Sequence, residues 1–419
     1  MEVNKYLQVI ETLKSIISLS KFENHCYAVG GCCRDFLLGR EIKDIDLVLD
    51  IPNGGIEFAK WLFEKGYLTR EPVIYEHFGT AMFHLKSIPD IELEAVQTRK
   101  EAYRDLETRN PETAFGTIED DCTRRDFTYN AIYYNISECS FKDFNGNSIK
   151  DLHDNVLRTC GEPDVIFSED PLRILRAIRF QCRYDSVIEE KTYEGMVKNV
   201  DRLKIISKER IQDEFNKMMT SGHADLAMKY INEIGAWKYI FNGDTCSEIE
   251  GALANLKKLS DADYHNLEVN LAIVYAYLEN VEAKMKYLKY SNDVIEKVLF
   301  YLDLFDDINF LHLKPNELRK LQYSAKSFDN LFNACTIFLS IFPNDIKKIK
   351  QIINDTKDMI KNGIAMFGYK LPVDGNDIME IKNIEPSAKV KEYMSLLMEQ
   401  AFINPLISRR DCETILRCN

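Results

Sequence analysis

Tyr27-Ala-Val-Gly-Gly-Cys-Cys-Arg-Asp-Phe-Leu-Leu-Gly-Arg-Glu-Ile-Lys-Asp-Ile-Asp-Leu-Val-Leu49 is the stretch that decides the fold. An apolar run, Cys26–Val29, enters Gly30-Gly31, a short helix carries Arg34, and a second strand carries Asp44 and Asp46. Paired glycines let backbone N–H groups approach a polyphosphate, and the helix N-terminus behind them adds positive potential. Residues i and i+2 of a strand project to one face, which puts Asp44 and Asp46 side by side, directed at the glycines. Two adjacent carboxylates repel unless a cation lies between them, and Mg²⁺ with phosphate oxygens suits such a pair. A bare G-G or D-x-D carries little information, whereas the ordered set G-G-x-x-R-D, L-L-G-R, D-x-D is specific.

That ordered set resembles the first signature of the nucleotidyltransferase superfamily. The matching class contains bacterial and eukaryotic CCA-adding enzymes and bacterial poly(A) polymerases. Cys33 departs from the valine common in that class. The resemblance implies Asp44 and Asp46 as catalytic metal ligands, with Gly30, Gly31 and Arg34 on the nucleotide. In Ile91-Glu-Leu-Glu-Ala-Val-Gln-Thr-Arg99 the family carries an acidic residue ahead of an arginine, and Glu94 is a better match than Glu92. A third catalytic carboxylate and the polar face of an edge strand are both open readings for Glu94.

Arg124-Arg-Asp-Phe-Thr-Tyr-Asn-Ala131 resembles the second signature, R-R-D-x-x-x-N-A. Arg124 and Arg125 suit triphosphate oxygens, while Asp126 and Asn130, spaced i and i+4, would meet the ribose from one helix face. Thr98 to Cys122 reads as a charged loop and looks like the family's flexible loop, which serves the change from C to A addition. Glu169-Asp-Pro-Leu-Arg-Ile-Leu-Arg-Ala-Ile-Arg-Phe180 places Ile174, Leu175 and Ile178 on one arc, with Glu169, Asp170, Arg173 and Arg176 opposite. It resembles the base-reading E-D-x-x-R motif of class II CCA-adding enzymes, which extends the nucleotide-binding set to Arg176 and Arg179. Cytosine and adenine each offer an amino donor beside a ring-nitrogen acceptor. Asp170 could accept from the first and Arg173 donate to the second, whereas uracil and guanine would leave buried groups unpaired. Ile206 to Phe215 resembles the next helical signature, with Glu209 and Arg210 in bracing roles. Segments near Gly375 and Phe402 are similar to tail segments of CCA-adding enzymes.

The rest of the chain agrees with an enzyme of several domains. At 419 residues it exceeds one compact core. Helical spacing covers Asn4 to Ile17 and Ile56 to Lys65, and strand-like runs cover Ile45–Leu49, Thr80–Leu85, Ile91–Gln97 and Tyr129–Asn135. Beyond Glu169 the pattern is almost wholly helical. The expected fold is α+β: a small nucleotidyltransferase head with a mixed sheet (1–150), then an all-helical neck with the base reader (151–222), body (223–330) and tRNA-binding tail (331–419). Net charge is −13, which excludes a protein that coats nucleic acid throughout. Residues 172–217 nevertheless hold 11 Lys/Arg against 8 Asp/Glu, a local basic excess. The 11 cysteines form no C-x-x-C pair, which favours reduced thiols over zinc or disulfides. Leu271–Leu278 is too short to span a bilayer, and the acidic start shows no targeting signal, so a cytoplasmic location without membrane contact is expected.

Together these readings imply template-independent addition of CCA to tRNA from CTP and ATP, with Mg²⁺ as cofactor and no protein partner. A poly(A) polymerase shares every head motif, and CC-adding or A-adding specialists are further alternatives. A non-catalytic RNA-binding relative would not need the full carboxylate and arginine set.

Overall fold

The computed structural model describes residues 3–76, 79–102, 112–243, 249–309 and 313–418. It divides into two compact units: residues 1–218 with 229–240, and residues 219–228 with 241–419.

The first unit begins with α1 (Val3–Ile17), whose Tyr6, Val9, Ile10, Leu13 and Ile17 are buried at helical spacing. β1 (Cys26–Val29) is buried along its length and turns at Gly30 into α2 (Gly31–Leu37). β2 (Ile45–Leu49) follows, then α3 (Gly54–Glu64), β3 (Val73–Tyr75), β4 (Thr80–Leu85) and β5 (Ile88–Gln97). α3 lies tightly on β5 because residue 55 is glycine. A Cβ there would stand 2.4 Å from the Ala95 carbonyl oxygen, closer than any packed pair tolerates. β6 (Arg99–Ala102) pairs antiparallel with β7 (Glu112–Phe115), and α4 (Ile118–Thr123) starts in a Thr117–Asp120 capping box. After a 3₁₀ turn at Thr128–Asn130 come β8 (Tyr133–Asn135) and β9 (Ser140–Lys142).

The main sheet has the order β3-β4-β5-β2-β1-β8-β9. β2 and β5 are parallel and the other neighbours antiparallel, so the sheet is mixed. Three expectations change here. Thr98 to Cys122 is no simple loop, because its arms form the β6–β7 ladder, while residues 103–111 lie outside the described residues. Tyr129–Asn135 is not one strand, since the 3₁₀ turn takes its first part. Asp44 precedes β2, leaving only Asp46 on the strand.

Helices α5 (Ser148–His153), α6 (Pro163–Glu169), α7 (Leu172–Tyr184), α8 (Glu190–Asn199) and α9 (Lys208–Met219) follow, with α11 (Trp237–Ile240) packing on the Val200–Ile205 3₁₀ segment. α10 (Ala224–Glu233) is shared between the units. This region is not purely helical: β10 (Val156–Leu157) and β11 (Val187–Ile188) form a short parallel pair.

The second unit is helical among the described residues: α12 (Ile249–Asp261), α13 (Leu267–Tyr275), α14 (Val281–Tyr287), α15 (Asn292–Asn309), α16 (Pro315–Ala325), α17 (Phe328–Ile341), α18 (Ile346–Lys361), α19 (Gly375–Lys382), α20 (Ala388–Ile403) and α21 (Arg409–Cys418). α13 is buried from Val269 to Tyr275, so its apolar run is a core helix, and no described helix is long and apolar enough to cross a membrane. α19, α20 and α21 share a core around Ile378, Leu397, Phe402, Cys412 and Leu416. Arg319 of α16 donates to the Phe402 and Ile403 carbonyls (2.9 and 3.1 Å), satisfying the end of α20.

Candidate active site

The end of the central strand β1, at Gly30, gathers the first group of residues. Gly30 adopts φ +80°, ψ −133°, a conformation that a side chain disfavours, and this bends β1 into α2. A Cβ at Gly30 would lie 3.7 Å from Arg125 Nη1 and 3.8 Å from Asp46 Oδ2, so turn, guanidinium and carboxylate converge. Asp46 stands opposite Glu94 in the parallel β2–β5 register and opposite Val29 in β1. Asp44, Asp46, Glu92, Glu94 and Asp90 line one cleft of about 420 Å³, with Lys5 and Lys43 at its wall.

The cleft is electrostatically strained. Enclosure by protein, then the Glu94 and Asp44 carboxylates, push the Asp46 carboxyl up to about 6, with Arg125 opposing. Burial and the Glu92 and Asp44 charges also raise Glu94. A divalent cation relieves this repulsion. Among the described residues no group of three or more His, Cys, Asp or Glu side chains could hold a metal alone. One or two carboxylates completed by phosphate and water oxygens is the donor set that Mg²⁺ takes, and the residues present fit it.

The second group surrounds Asp121, which sequence reasoning missed. Asp121 is fully buried, and its two oxygens divide two arginines. Oδ1 accepts from Arg124 Nε (3.0 Å) and Nη2, and Oδ2 from Arg125 Nη2 (2.9 Å) and the Tyr133 hydroxyl (2.8 Å). Burial alone would raise this carboxyl, but the Arg125 and Arg124 charges outweigh it and hold it at about 2. Its spacing of three and four residues before Arg124 and Arg125 was the available signal. Arg125 thus faces the Gly30 turn, donating also to the Asn130 carbonyl (3.3 Å), whereas Arg124 turns away to Glu101 (3.3 Å). The two arginines do not form one phosphate clamp.

Asp126 and Asn130 do meet, but not on a helix face. The 3₁₀ turn folds Asn130 back so that Nδ2 donates to Asp126 Oδ1 (3.0 Å). Arg176 takes the other Asp126 oxygen through Nε (2.8 Å) and Nη2 (2.5 Å). Burial works against the charge, but Arg176 holds the Asp126 carboxyl well below the usual range. Arg179 pairs with buried Glu214 of α9 (2.6 Å), and Arg176 reaches the same carboxylate at 4.0 Å. Arg34 donates Nη1 to Asn130 Oδ1 (2.5 Å) and forks onto Asp35. Arg34, Arg176 and Arg179, expected on the nucleotide, are therefore engaged by protein carboxylates and the Asn130 amide.

The expected base reader is arranged differently from an amphipathic helix. Asp170 is extended (φ −131°, ψ 91°) between α6 and α7, not on the helix that carries Arg173. The Arg173 amide donates to the Asp170 carbonyl (3.0 Å), a tight turn that keeps the two residues adjacent. Asp170 Oδ1 accepts from the Leu172 amide (3.3 Å) and Oδ2 faces Arg210 (3.5 Å). Arg173 is buried and donates Nη2 to the Arg124 carbonyl (2.8 Å) and Nη1 to the Ile166 carbonyl (3.5 Å).

Comparison with known proteins agrees with this architecture. The profile of the poly A polymerase head domain matches residues 26–158, and that of the probable RNA and SrmB-binding site of polymerase A matches residues 187–244. A tRNA nucleotidyltransferase of Schizosaccharomyces pombe is 27% identical over 93% of this chain and 91% of its own. A CCA-adding enzyme of Staphylococcus saprophyticus is 28% identical over 92% of each chain. The crystal structure of the Bacillus stearothermophilus CCA-adding enzyme in complex with CTP superposes with a TM-score of 0.61 at 20% identity, covering 94% of this chain and 92% of that one. With the glycine turn, paired aspartates and R-R-D segment in one unit, the chain carries the poly A polymerase head-domain profile and is similar along nearly its whole length to CCA-adding enzymes.

Proposed function

We propose that this protein adds C, C and A to the 3′ end of tRNA from CTP and ATP, without a nucleic-acid template. The observation that carries the chemistry is the convergence of Gly30, Asp46 and Arg125 at the end of the central strand β1. Near full-length similarity to CCA-adding relatives favours tRNA over general RNA, because the Staphylococcus saprophyticus enzyme aligns with 92% of this chain and a poly(A) polymerase I of Escherichia coli with 63%.

Asp44 and Asp46 would hold Mg²⁺, with Glu94 beside them. When bound, such ions lower the pKa of the attacking 3′-hydroxyl and neutralise charge on the pyrophosphate. The chain's own residues do the rest. The Gly30-Gly31 backbone and Arg125 receive the triphosphate, Asn130 and Asp126 face the ribose, and Asp170 with Arg173 selects the base. Arg173 would exchange a carbonyl bond for the ring nitrogen of C or A. Residues 1–150 thus supply the chemistry and 151–222 the base reader, while 223–330 and 331–419 hold the RNA. A reducing, cytoplasmic setting suits the free cysteines found among the described residues.

The test supplies labelled CTP and ATP with tRNA lacking its CCA end and sequences the products. Growth by C, C and A and then arrest is expected, and Asp44→Ala or Asp46→Ala should abolish it. A long adenosine tail on arbitrary RNA, with CTP ignored, would replace this reading with poly(A) synthesis.

A further inference from the structure

Arg34, which holds Asn130, sits on an aromatic platform that the reaction as described does not use. Phe180 and Tyr184, one turn apart on α7, stack with ring centres 5.8 Å apart and planes 14° from parallel. The Arg34 guanidinium carbon lies 5.4 Å from the Phe180 ring centre and 5.0 Å from that of Tyr184. The Tyr184 hydroxyl donates to Asp35 Oδ1 (3.2 Å), the carboxylate that already grips Arg34 through Nε and Nη2, both at 2.9 Å. Arg34, Asp35, Phe180 and Tyr184 are all buried, with Tyr184 the most accessible at 7%.

The fork on Asp35 and the rings leave Arg34 one directed arm, Nη1, and it ends on Asn130 Oδ1 at 2.5 Å. The opposite end of that amide is fixed by Asp126 at 3.0 Å. An amide held by a donor at its oxygen and an acceptor at its nitrogen cannot flip. It then keeps one N–H and one lone pair in constant directions, and a ribose 2′-hydroxyl, both donor and acceptor, can satisfy them. A 2′-deoxy sugar leaves them unpaired.

We propose that Tyr184 is a positioning residue for sugar selection: through Asp35 and Arg34 it sets the orientation in which Asn130 meets the ribose. This rests on the reading of Asn130 as a sugar contact. Tyr184 is buried and reaches Asn130 only through Asp35 and Arg34, so its loss should act on discrimination between sugars rather than on nucleotide addition in general.

The experiment measures kcat/KM for CTP and dCTP on one tRNA lacking its CCA end, using the wild type, Asn130→Ala, Tyr184→Phe and Tyr184→Leu. Tyr184→Phe keeps the core filled and removes one hydrogen bond, and should lower the CTP:dCTP preference about two- to fivefold. Tyr184→Leu also removes the ring and should lower it further, about tenfold. Asn130→Ala should give the largest loss. A preference unchanged in Asn130→Ala overturns the sugar assignment underneath the inference. A preference lost in Asn130→Ala but unchanged in both Tyr184 variants overturns the inference alone. If Tyr184→Leu does not fold, Tyr184→Phe decides the matter by itself.

Discussion

Two buried contacts around the R-R-D segment carry separate consequences at the scale of single residues. Asp121 pairs with both Arg124 and Arg125, so Asp121→Asn leaves the largely buried Arg125 without that carboxylate and Arg124 with Glu101. We expect a loss of about 3–5 kcal/mol in urea unfolding at pH 7. The pH dependence has a definite sign. The folded carboxyl is held at about 2, below its ordinary 3.8, so its contribution is complete above about pH 4 and is lost as pH falls towards 2. The gap between wild type and variant should therefore narrow by roughly 2 kcal/mol across that window, and a gap independent of pH would remove Asp121 from this role. Arg173 makes the other contact. Because it rests on carbonyl oxygens when no base is present, Arg173→Ala removes a donor that the base would have to win. Discrimination of CTP and ATP against UTP and GTP should fall by about 1–3 kcal/mol, or 5- to 150-fold in kcat/KM, and Asp170→Ala should fall alongside it. Wild-type selectivity in both would mean that the base is read elsewhere.

At the scale of elements, α18 is the clearest case of a helix with two unlike faces. Ile349, Ile352, Thr356 and Met359 are buried, while Lys347, Lys350, Lys357 and Lys361 are exposed. At 100° and 1.5 Å per residue these lysines fall within roughly 80° of arc and about 21 Å of length. In a chain of net charge −13, that spacing suits consecutive phosphates of an RNA strand. Replacing all four with alanine should weaken tRNA binding and flatten its log–log salt dependence by about 0.7–0.9 per lost phosphate contact, and an unaltered slope would free α18 from any RNA contact. How much was legible in the sequence also depends on the element. α1 and β4 announce themselves because one buried face imposes a period, and β1 and β2 because nearly every residue is buried, whereas β3 has a largely exposed pattern and β9 is only half-buried. The charged β6–β7 ladder reads as loop because alternation never separates its faces. The carboxylate pair and the glycine turn were legible because they are local. The partners of Arg34, Arg176 and Arg179 were not, since each is fixed by a residue 96, 50 or 35 positions away.

At the scale of the whole molecule, the division into units does not follow the chain. Residues 229–240 belong with the first unit although 219–228 belong with the second. Ile231, Ile234, Trp237 and Ile240 are buried, and α11 packs on the Val200–Ile205 segment. A fragment ending at 218 loses these side chains, each worth roughly 1.5–3 kcal/mol on burial, whereas one ending at 240 keeps them. The longer fragment should unfold cooperatively at a higher temperature by calorimetry, and equal melting of the two would contradict the assignment of 229–240 to the first unit. The same interleaving bears on synthesis. The first unit cannot close until residue 240 has been made, and the 179 residues from 241 to 419 need about 9–36 s more at about 5–20 residues per second. For that interval the nascent chain carries a finished nucleotide site while the helices of its second unit, α18 included, are still being made.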